Sequence, residues 1–179
     1  MGRINGAGIA FARQLMRRSG SDVEQRVLAS LDDAERMLLL SSTTVQWLPV
    51  EDASDVCEKV ARVVYRDDVD PMYRFGFDEA LDHLRGPYRL LARVLTVPFL
   101  MDQSAKLWTR YHDCGAAHCE REGEGLAAFC VAGYPALPAN QRRNTAGYIA
   151  GTIALTGARD VVVVDGGSPD CWRWSARWA

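Results

Sequence analysis

The sequence lacks several features that would assign a protein to a class at once. Its apolar runs are far too short to cross a bilayer, so no membrane span is predicted. The first 20 residues carry four arginines scattered among short apolar stretches and therefore lack the apolar core of a secretory signal peptide. The net charge is only −2, so neither nucleic acid nor an anionic membrane surface is an expected partner.

Recognisable catalytic and redox motifs are missing as well. The five cysteines are odd in number and include no Cys-x-x-Cys pair, which favours reduced thiols in a cytoplasmic protein. There is no Gly-x-Ser-x-Gly turn and no glycine-rich Lys-Ser/Thr loop. The glycines at positions 6 and 8 follow no apolar strand and lack the third glycine of a dinucleotide-binding loop. We therefore expect a protein that is not an enzyme.

What the sequence does contain is a clear pattern of strands near its C-terminus. Residues 161–164 are four consecutive valines, and a turn is predicted over residues 165–169. Residues 171–178 then alternate, which predicts a half-buried strand paired with the valine run. One face of that strand holds Trp172, Trp174, Ala176 and Trp178.

Two further strands and a helix precede this pair. The strands are predicted over residues 116–122 and 126–133, with a turn between them. The helix is predicted over residues 140–156 and is rich in alanine and glycine, so we expect its backbone to approach the sheet closely. The C-terminal order is therefore β-β-α-β-β.

The N-terminal two thirds is predicted to be mainly helical. Ser21 and Glu24 fit a capping box, and Asp32 or Asp33 fits the start of the next helix. Gly86-Pro87 predicts a corner between two later helices. The predicted fold class is α+β: one domain, residues 1–179, in which a helical portion (1–113) packs on a small antiparallel sheet within the β-β-α-β-β portion (114–179).

A group of potential metal ligands lies where the helical portion ends. Imidazole and thiolate are the usual ligands of zinc, and the group contains His112, Cys114, His118 and Cys119. The carboxylates of Asp113 and Glu120 belong to the same group. The spacing fits no closed zinc site, and a strand here would direct His118 and Cys119 to opposite faces. A helix end followed by an edge strand explains the same residues, so we expect no metal and no cofactor. A Cys–His nucleophile pair remains a further alternative.

The helices carry many aromatic and leucine side chains, whereas the sheet they would face has mostly small ones. This contrast predicts an apolar cavity between them. The candidate pocket residues are Trp47, His83, Tyr88 and Trp108. Each of them is also explained as an ordinary core residue, and His83 as a structural group at a helix end.

Three C-terminal segments resemble a known superfamily. They look like the C-terminal signature of four-vinyl-reductase-type small-molecule-binding domains. The segments are residues 147–151, residues 157–164, and residues 171–174 with Trp178. That superfamily also includes heme–NO-binding sensors and the transport-particle subunits of Golgi traffic. Residues 86–91 and 107–115 are similar to short uncharacterised myxobacterial paralogues of the group. The resemblance implies a bacterial protein, an apolar ligand cavity and a homodimer.

The chain departs from two site patterns of this superfamily. Of the zinc ligands that some members use, only Cys171 is matched, and the Tyr-x-Ser-x-Arg heme-carboxylate clamp of the heme–NO sensors is not found. The resemblance therefore implies a non-enzymatic, cytoplasmic, sensor-like domain that binds a small apolar ligand or a signalling partner. The alternatives are a ligand-free protein-interaction platform and a zinc- or thiol-dependent enzyme.

Overall fold

The computed structural model describes residues 2–85 and 96–179. In these residues the chain is α+β, as predicted. The predicted Gly86-Pro87 corner and the pocket candidate Tyr88 lie outside the described residues. The elements are β1 (Arg3–Asn5), α1 (Ala7–Arg18), α2 (Ser21–Ser30), α3 (Asp33–Ser41), β2 (Trp47–Pro49), α4 (Val50–Val64), α5 (Pro71–Arg85), α6 (Val97–Tyr111), β3 (Ala116–Gly123), β4 (Leu126–Ala132), α7 (Ala139–Ala154), β5 (Val162–Ser168) and β6 (Cys171–Arg177).

The N-terminal helices start largely where the sequence predicts. Asp32 caps α3 through a complete capping box with Glu35, whose side chain accepts a hydrogen bond from the Asp32 amide. The capping box predicted at Ser21 and Glu24 is wrong, because the N-cap of α2 is Gly20 and no side chain caps that helix. Among the described residues, no helix combines the length and apolarity needed to cross a bilayer.

Two antiparallel sheets are present in the part of the chain that the structure describes. β1 and β2 form a small ribbon, and the other four strands form a sheet of order β3-β4-β6-β5. The predicted alternation in β6 is confirmed, since Trp172, Trp174 and Ala176 are buried on one face. The predicted turn is displaced: β5 continues through Asp165 to Ser168, and the chain reverses after it, at residues 169–170.

The glycines of α7 pack against α5, not against the sheet as the sequence suggested. A Cβ atom on Gly147 would overlap the carbonyl oxygen of Tyr73 and lie 2.9 Å from the amide nitrogen of Phe77. On the facing helix, a Cβ on Gly76 would overlap the carbonyl oxygen of Asn144 in the same way. The two backbones are therefore in direct contact, which only residues without a side chain allow.

The buried side chains form two clusters. The first joins α1 to α5 and contains residues such as Ile9, Val60 and Phe75. The second joins the four-stranded sheet to α6 and α7, with Trp108 and Trp174 among its members. The junction of these two clusters holds the cavity described next.

Candidate functional site: a cavity between the two clusters

A cavity of about 160 Å³ lies among α5, α6, α7 and the inner face of the four-stranded sheet. Its wall combines residues from both hydrophobic clusters and is mostly apolar. The main apolar side chains in this wall are Ile9, Phe75, Val97, Trp108, Phe129 and Ile153. A largely apolar cavity with a few polar groups is the usual form of a small-molecule site.

The polar groups of the wall converge where α5 meets α7. Glu79 is buried and accepts a hydrogen bond of 3.1 Å from the Asn144 side-chain amide. Gln141 donates in turn to Asn144, over 3.4 Å. The hydroxyl of Tyr148 is buried and has no hydrogen-bond partner among the described residues. These four side chains can therefore orient a polar group on a ligand.

Burial sets the ionisation of this polar end. It raises the pKa of Glu79 above its ordinary value, although the nearby His83 and the hydrogen bond from Asn144 oppose the change. It also raises the pKa of Tyr148 well above its ordinary value, and the neighbouring Tyr111 and Glu79 add to that effect. The surroundings thus favour the neutral forms of both side chains.

Trp108 and His112 form an aromatic pair at the end of α6. Their rings are parallel, with centroids 3.8 Å apart. His112 is buried, and burial lowers its pKa to about 3, so its imidazole is neutral at ordinary pH. Its Nδ1 atom has no hydrogen-bond partner within the part of the chain that the structure describes.

The C-terminal end of α6 contacts β1 and the segment that leads into β3. Arg3 forms an ion pair of 2.7 Å with Asp113, and the backbone of Ile4 bridges to His112. The Trp108 indole nitrogen donates to the carbonyl of Cys114 over 2.9 Å. These contacts hold the aromatic end of α6 in place and thereby position one wall of the cavity.

The predicted pocket residues do not share one site. Trp108 lies in the cavity wall, but Trp47 and His83 line an adjoining surface pocket, which shares Asn5 and Tyr111 with the cavity. Trp47 is 40% exposed, whereas the His83 ring stacks on Tyr111 at 6.0 Å. Tyr88 lies outside the described residues. No observation tests whether any of these residues contacts a ligand, so their role stays a prediction.

The four metal-ligand candidates do not converge either. His112 is stacked on Trp108, and the thiol of Cys114 lies 3.5 Å from the Gly133 carbonyl. Cys119 lines the cavity, while the alternation of β3 directs His118 to the opposite face of the sheet. The sheet instead brings His118 and Glu120 close to Cys130, which is not part of the predicted group.

Sequence reasoning missed the polar end of the cavity. Its signal was present in the helical spacing: Phe75, Glu79 and His83 recur every four residues along α5. Gln141, Asn144 and Tyr148 likewise follow one face of α7 at intervals of three and four. A carboxylate within an apolar stripe is an informative exception to the burial rule, because charged groups are rarely buried unless paired.

Solved structures with the same fold are heme–NO-binding (H-NOX) domains. A point mutant of an Fe(II) unliganded H-NOX protein from K. algicida is 7% identical, with a TM-score of 0.66 over 98% of this chain and 97% of its own. A mutant of T. tengcongensis H-NOX is 12% identical, with a TM-score of 0.63 over 98% and 97%. An oxygen-binding H-NOX domain related to soluble guanylate cyclases, in its oxygen complex, is 13% identical, with a TM-score of 0.56 over 97% and 90%.

These similarities show the fold. They confirm the heme–NO-binding part of the resemblance at the level of architecture. The parts that concern four-vinyl-reductase-type domains, transport-particle subunits and myxobacterial paralogues stay predictions. No family model matches the sequence, and no curated protein matches it either.

The fold raises the question of heme, and the described residues do not fit it. The cavity of about 160 Å³ is well below the ~300–1,000 Å³ typical of sites for drug-sized ligands, and a porphyrin needs more room than most of these. An iron ligand is commonly a histidine imidazole. Among the described residues, the one imidazole in the cavity wall is that of His112, which lies flat against Trp108. The imidazole of His83 lines the adjoining surface pocket.

Proposed function

We propose that this protein is a non-enzymatic, sensor-like domain that binds one small, mostly apolar molecule in the cavity between α5, α6 and α7. The observation that carries the proposal is the cavity itself, with its apolar wall and its polar end at Glu79, Asn144 and Tyr148. The fold supports it, since the solved H-NOX domains have the same architecture.

The size of the cavity indicates the size of the ligand. An apolar protein cavity of about 150 Å³ can hold one benzene molecule. At about 160 Å³, this cavity suits a single aromatic ring or a short aliphatic chain. The walls would bind such a molecule mainly by removing its apolar surface from water.

The polar end indicates what the ligand carries. The Tyr148 hydroxyl has no partner among the described residues, and the Glu79 carboxyl is held by Asn144. A hydroxyl or amide on the ligand can pair with them, and an unpaired buried polar group costs about 1–3 kcal/mol. The favoured ligand is therefore a neutral ring or chain with one hydrogen-bonding group, such as a phenol.

A thiol-dependent reaction has little support from the cavity. Burial raises the pKa of Cys119 to about 11 and that of Cys57 well above its ordinary value. Both thiols line the cavity, and both stay protonated near neutral pH, whereas the thiolate is the reactive form. This supports a binding role over an enzymatic one.

A homodimer in the bacterial cytoplasm completes the proposal. β5 is an edge strand of the four-stranded sheet, and it exposes Val162 and Val164. Exposed apolar edges of this kind favour pairing with another chain. Sedimentation velocity with Val164→Lys beside the unchanged protein tests the dimer, which we expect this variant to dissociate.

The cytoplasmic location is argued from the cysteines. The five cysteines are all free, which suits a reducing compartment.

Phenol titration is the experiment that tests the ligand site. We expect one phenol per chain by calorimetry in the unchanged protein, and loss of that binding in Ser104→Leu, which fills the cavity from α6. Ser104 is buried in the cavity wall, so the leucine removes the space without exposing apolar surface. Ala105→Leu places the same side chain on the exposed face of α6 and should bind phenol normally.

Three outcomes would contradict the proposal. Phenol binding that survives Ser104→Leu would move the site elsewhere. A cavity that binds neither phenol nor benzene, in a protein that native mass spectrometry finds free of small molecules, would favour the interaction platform. Stoichiometric binding of added hemin with a shifted Soret band would replace the small ligand by heme.

A further inference from the structure

A second cluster of ligand-type side chains lies on the outer face of the four-stranded sheet, away from the cavity. His118 and Glu120 are two residues apart on β3 and so share this face. Cys130 on β4 lies directly opposite His118 in the strand register. An imidazole, a carboxylate and a thiol are thereby presented on one side of a hydrogen-bonded strand pair.

The three donor atoms are close enough to meet at one ion. They all lie within 4.8 Å of one another, and His118 Nε2 is 3.3 Å from Glu120 Oε1. Ligand atoms around a tetrahedral zinc are about 3.3–3.6 Å apart, given metal–ligand bonds of about 2.0–2.3 Å. His118 and Glu120 are about half exposed, so both side chains are free to close the remaining distance.

Arg173 lies beside the cluster and contacts two of its three members. It stands opposite Cys130 on β6, with its guanidinium 3.4 Å from the thiol sulfur. The same guanidinium reaches Glu120 at 3.5 Å and also pairs with Glu122. Glu122 can hold this guanidinium when Glu120 turns toward an ion.

We propose that His118, Glu120 and Cys130 bind one divalent transition ion of the zinc type. The donor set selects this class, because thiolate and imidazole suit zinc whereas magnesium and calcium take oxygen ligands. The three protein ligands leave the fourth position open to solvent. The bound ion would join the edge strand β3 to β4 through side chains as well as backbone. It would stabilise the folded chain by an amount that rises with the logarithm of the ion concentration above its Kd.

Cobalt titration of the reduced, metal-free protein tests this site. Cobalt(II) gives a thiolate charge-transfer absorption when cysteine binds it, and added zinc should remove that absorption by competition. We expect one ion per chain. His118→Ala and Glu120→Gln should each weaken binding at least about tenfold, as loss of a ligand does no less than loss of an outer-shell partner. Cys130→Ser should abolish the charge-transfer band.

Cys119→Ser is the matched control. Cys119 is next to His118 in the chain but lines the cavity on the other face, so its removal should leave cobalt binding unchanged. Cys130 is buried, and the fold of Cys130→Ser is therefore checked by circular dichroism, while the exposed His118→Ala keeps the test decisive if that variant unfolds. Binding that is unaffected by His118→Ala and Glu120→Gln, or absent in the unchanged protein, overturns the proposal. Phenol binding to the cavity is independent of either result.

Discussion

The two sides of α7 are packed in opposite ways. On one side its backbone touches that of α5, because Gly147 and Gly76 present no side chain at the crossing. On the other side, α6 packs mainly on β3 and stays apart from α7, with the cavity between them. The difference teaches that one helix can serve as both a rigid contact and the wall of a binding site.

The contrast follows from the side chains that each neighbour offers. Where α5 and α7 cross, the small residues remove all space between two helices. α6 instead places Trp108 and Leu107 in the cavity wall, and the ion pair of Asp113 with Arg3 holds its C-terminal end against β1. α6 and the small residues of α7 therefore face each other across the cavity.

The largest expected effect comes from disrupting the close contact between α5 and α7. Gly147→Ala should lower the free energy of unfolding by about 3 kcal/mol or more, because the added methyl overlaps the Tyr73 carbonyl and no flexible side chain can yield. This loss exceeds the gain of up to ~1 kcal/mol from replacing a helical glycine. Urea unfolding of Gly147→Ala and of the unchanged protein measures the difference in the free energy of unfolding.

Gly123→Ala is the control for that prediction. A Cβ there would lie 3.6 Å from the Leu126 side chain, which is an ordinary contact. It should change the free energy of unfolding by less than about 0.5–1 kcal/mol. Equal losses in Gly123→Ala and Gly147→Ala would mean that the contact between α5 and α7 is not tight.

The second effect concerns His112, which stacks on Trp108 at the C-terminal end of α6. The pKa of His112 falls from 6.5 in the unfolded chain to about 3 in the fold, so the unfolded chain binds the extra proton between these values. His112 should therefore reduce the free energy of unfolding by about 1.4 kcal/mol for each pH unit on acidification through this range.

His112→Gln removes that titration. Although loss of the ring that stacks on Trp108 should destabilise the variant at pH 7, its unfolding free energy should decline less steeply between pH 6.5 and 3. Parallel slopes for His112→Gln and the unchanged protein would show that His112 is not buried in a neutral form.

The smallest predicted effect concerns Glu79, which lies where the contact between α5 and α7 borders the cavity. Burial raises the pKa of this carboxyl above 4.5, so its stabilising contribution is complete below pH 4.5 and is lost as the pH rises through the raised pKa. Glu79→Gln cannot ionise, and its amide oxygen can still accept the hydrogen bond from Asn144.

Glu79→Gln should therefore be at least as stable as the unchanged protein at pH 7, with the difference vanishing below pH 4.5. Thermal unfolding at both pH values provides the measurement. Asp82→Asn, which removes a surface ion pair with Arg18, is the control and should change stability by about 1 kcal/mol or less at either pH. A marked loss of stability in Glu79→Gln at pH 7 would mean that the ionised carboxylate is needed.

The sequence by itself determined the fold class and most of the elements, although it did not indicate the strand β1. Periodicity in β6 assigns Trp172 and Trp174 to the inner face, where both are buried. Such patterns are local, so they can be read without knowing which element lies opposite. The displaced turn after β5 arose because Gly166 and Gly167 tolerate a strand as well as a turn.

Only the tertiary structure decided which elements meet. The small residues of α7 predicted that another backbone packs closely against this helix, but they did not identify it as α5. A glycine allows close approach by any neighbour, so its position alone does not show which element packs there. The polar end of the cavity joins Glu79 to Asn144, 65 residues apart in sequence. Cys130 joins His118 only through the register of β3 on β4. Pairings of this kind depend on how strands and helices dock, which local periodicity does not encode.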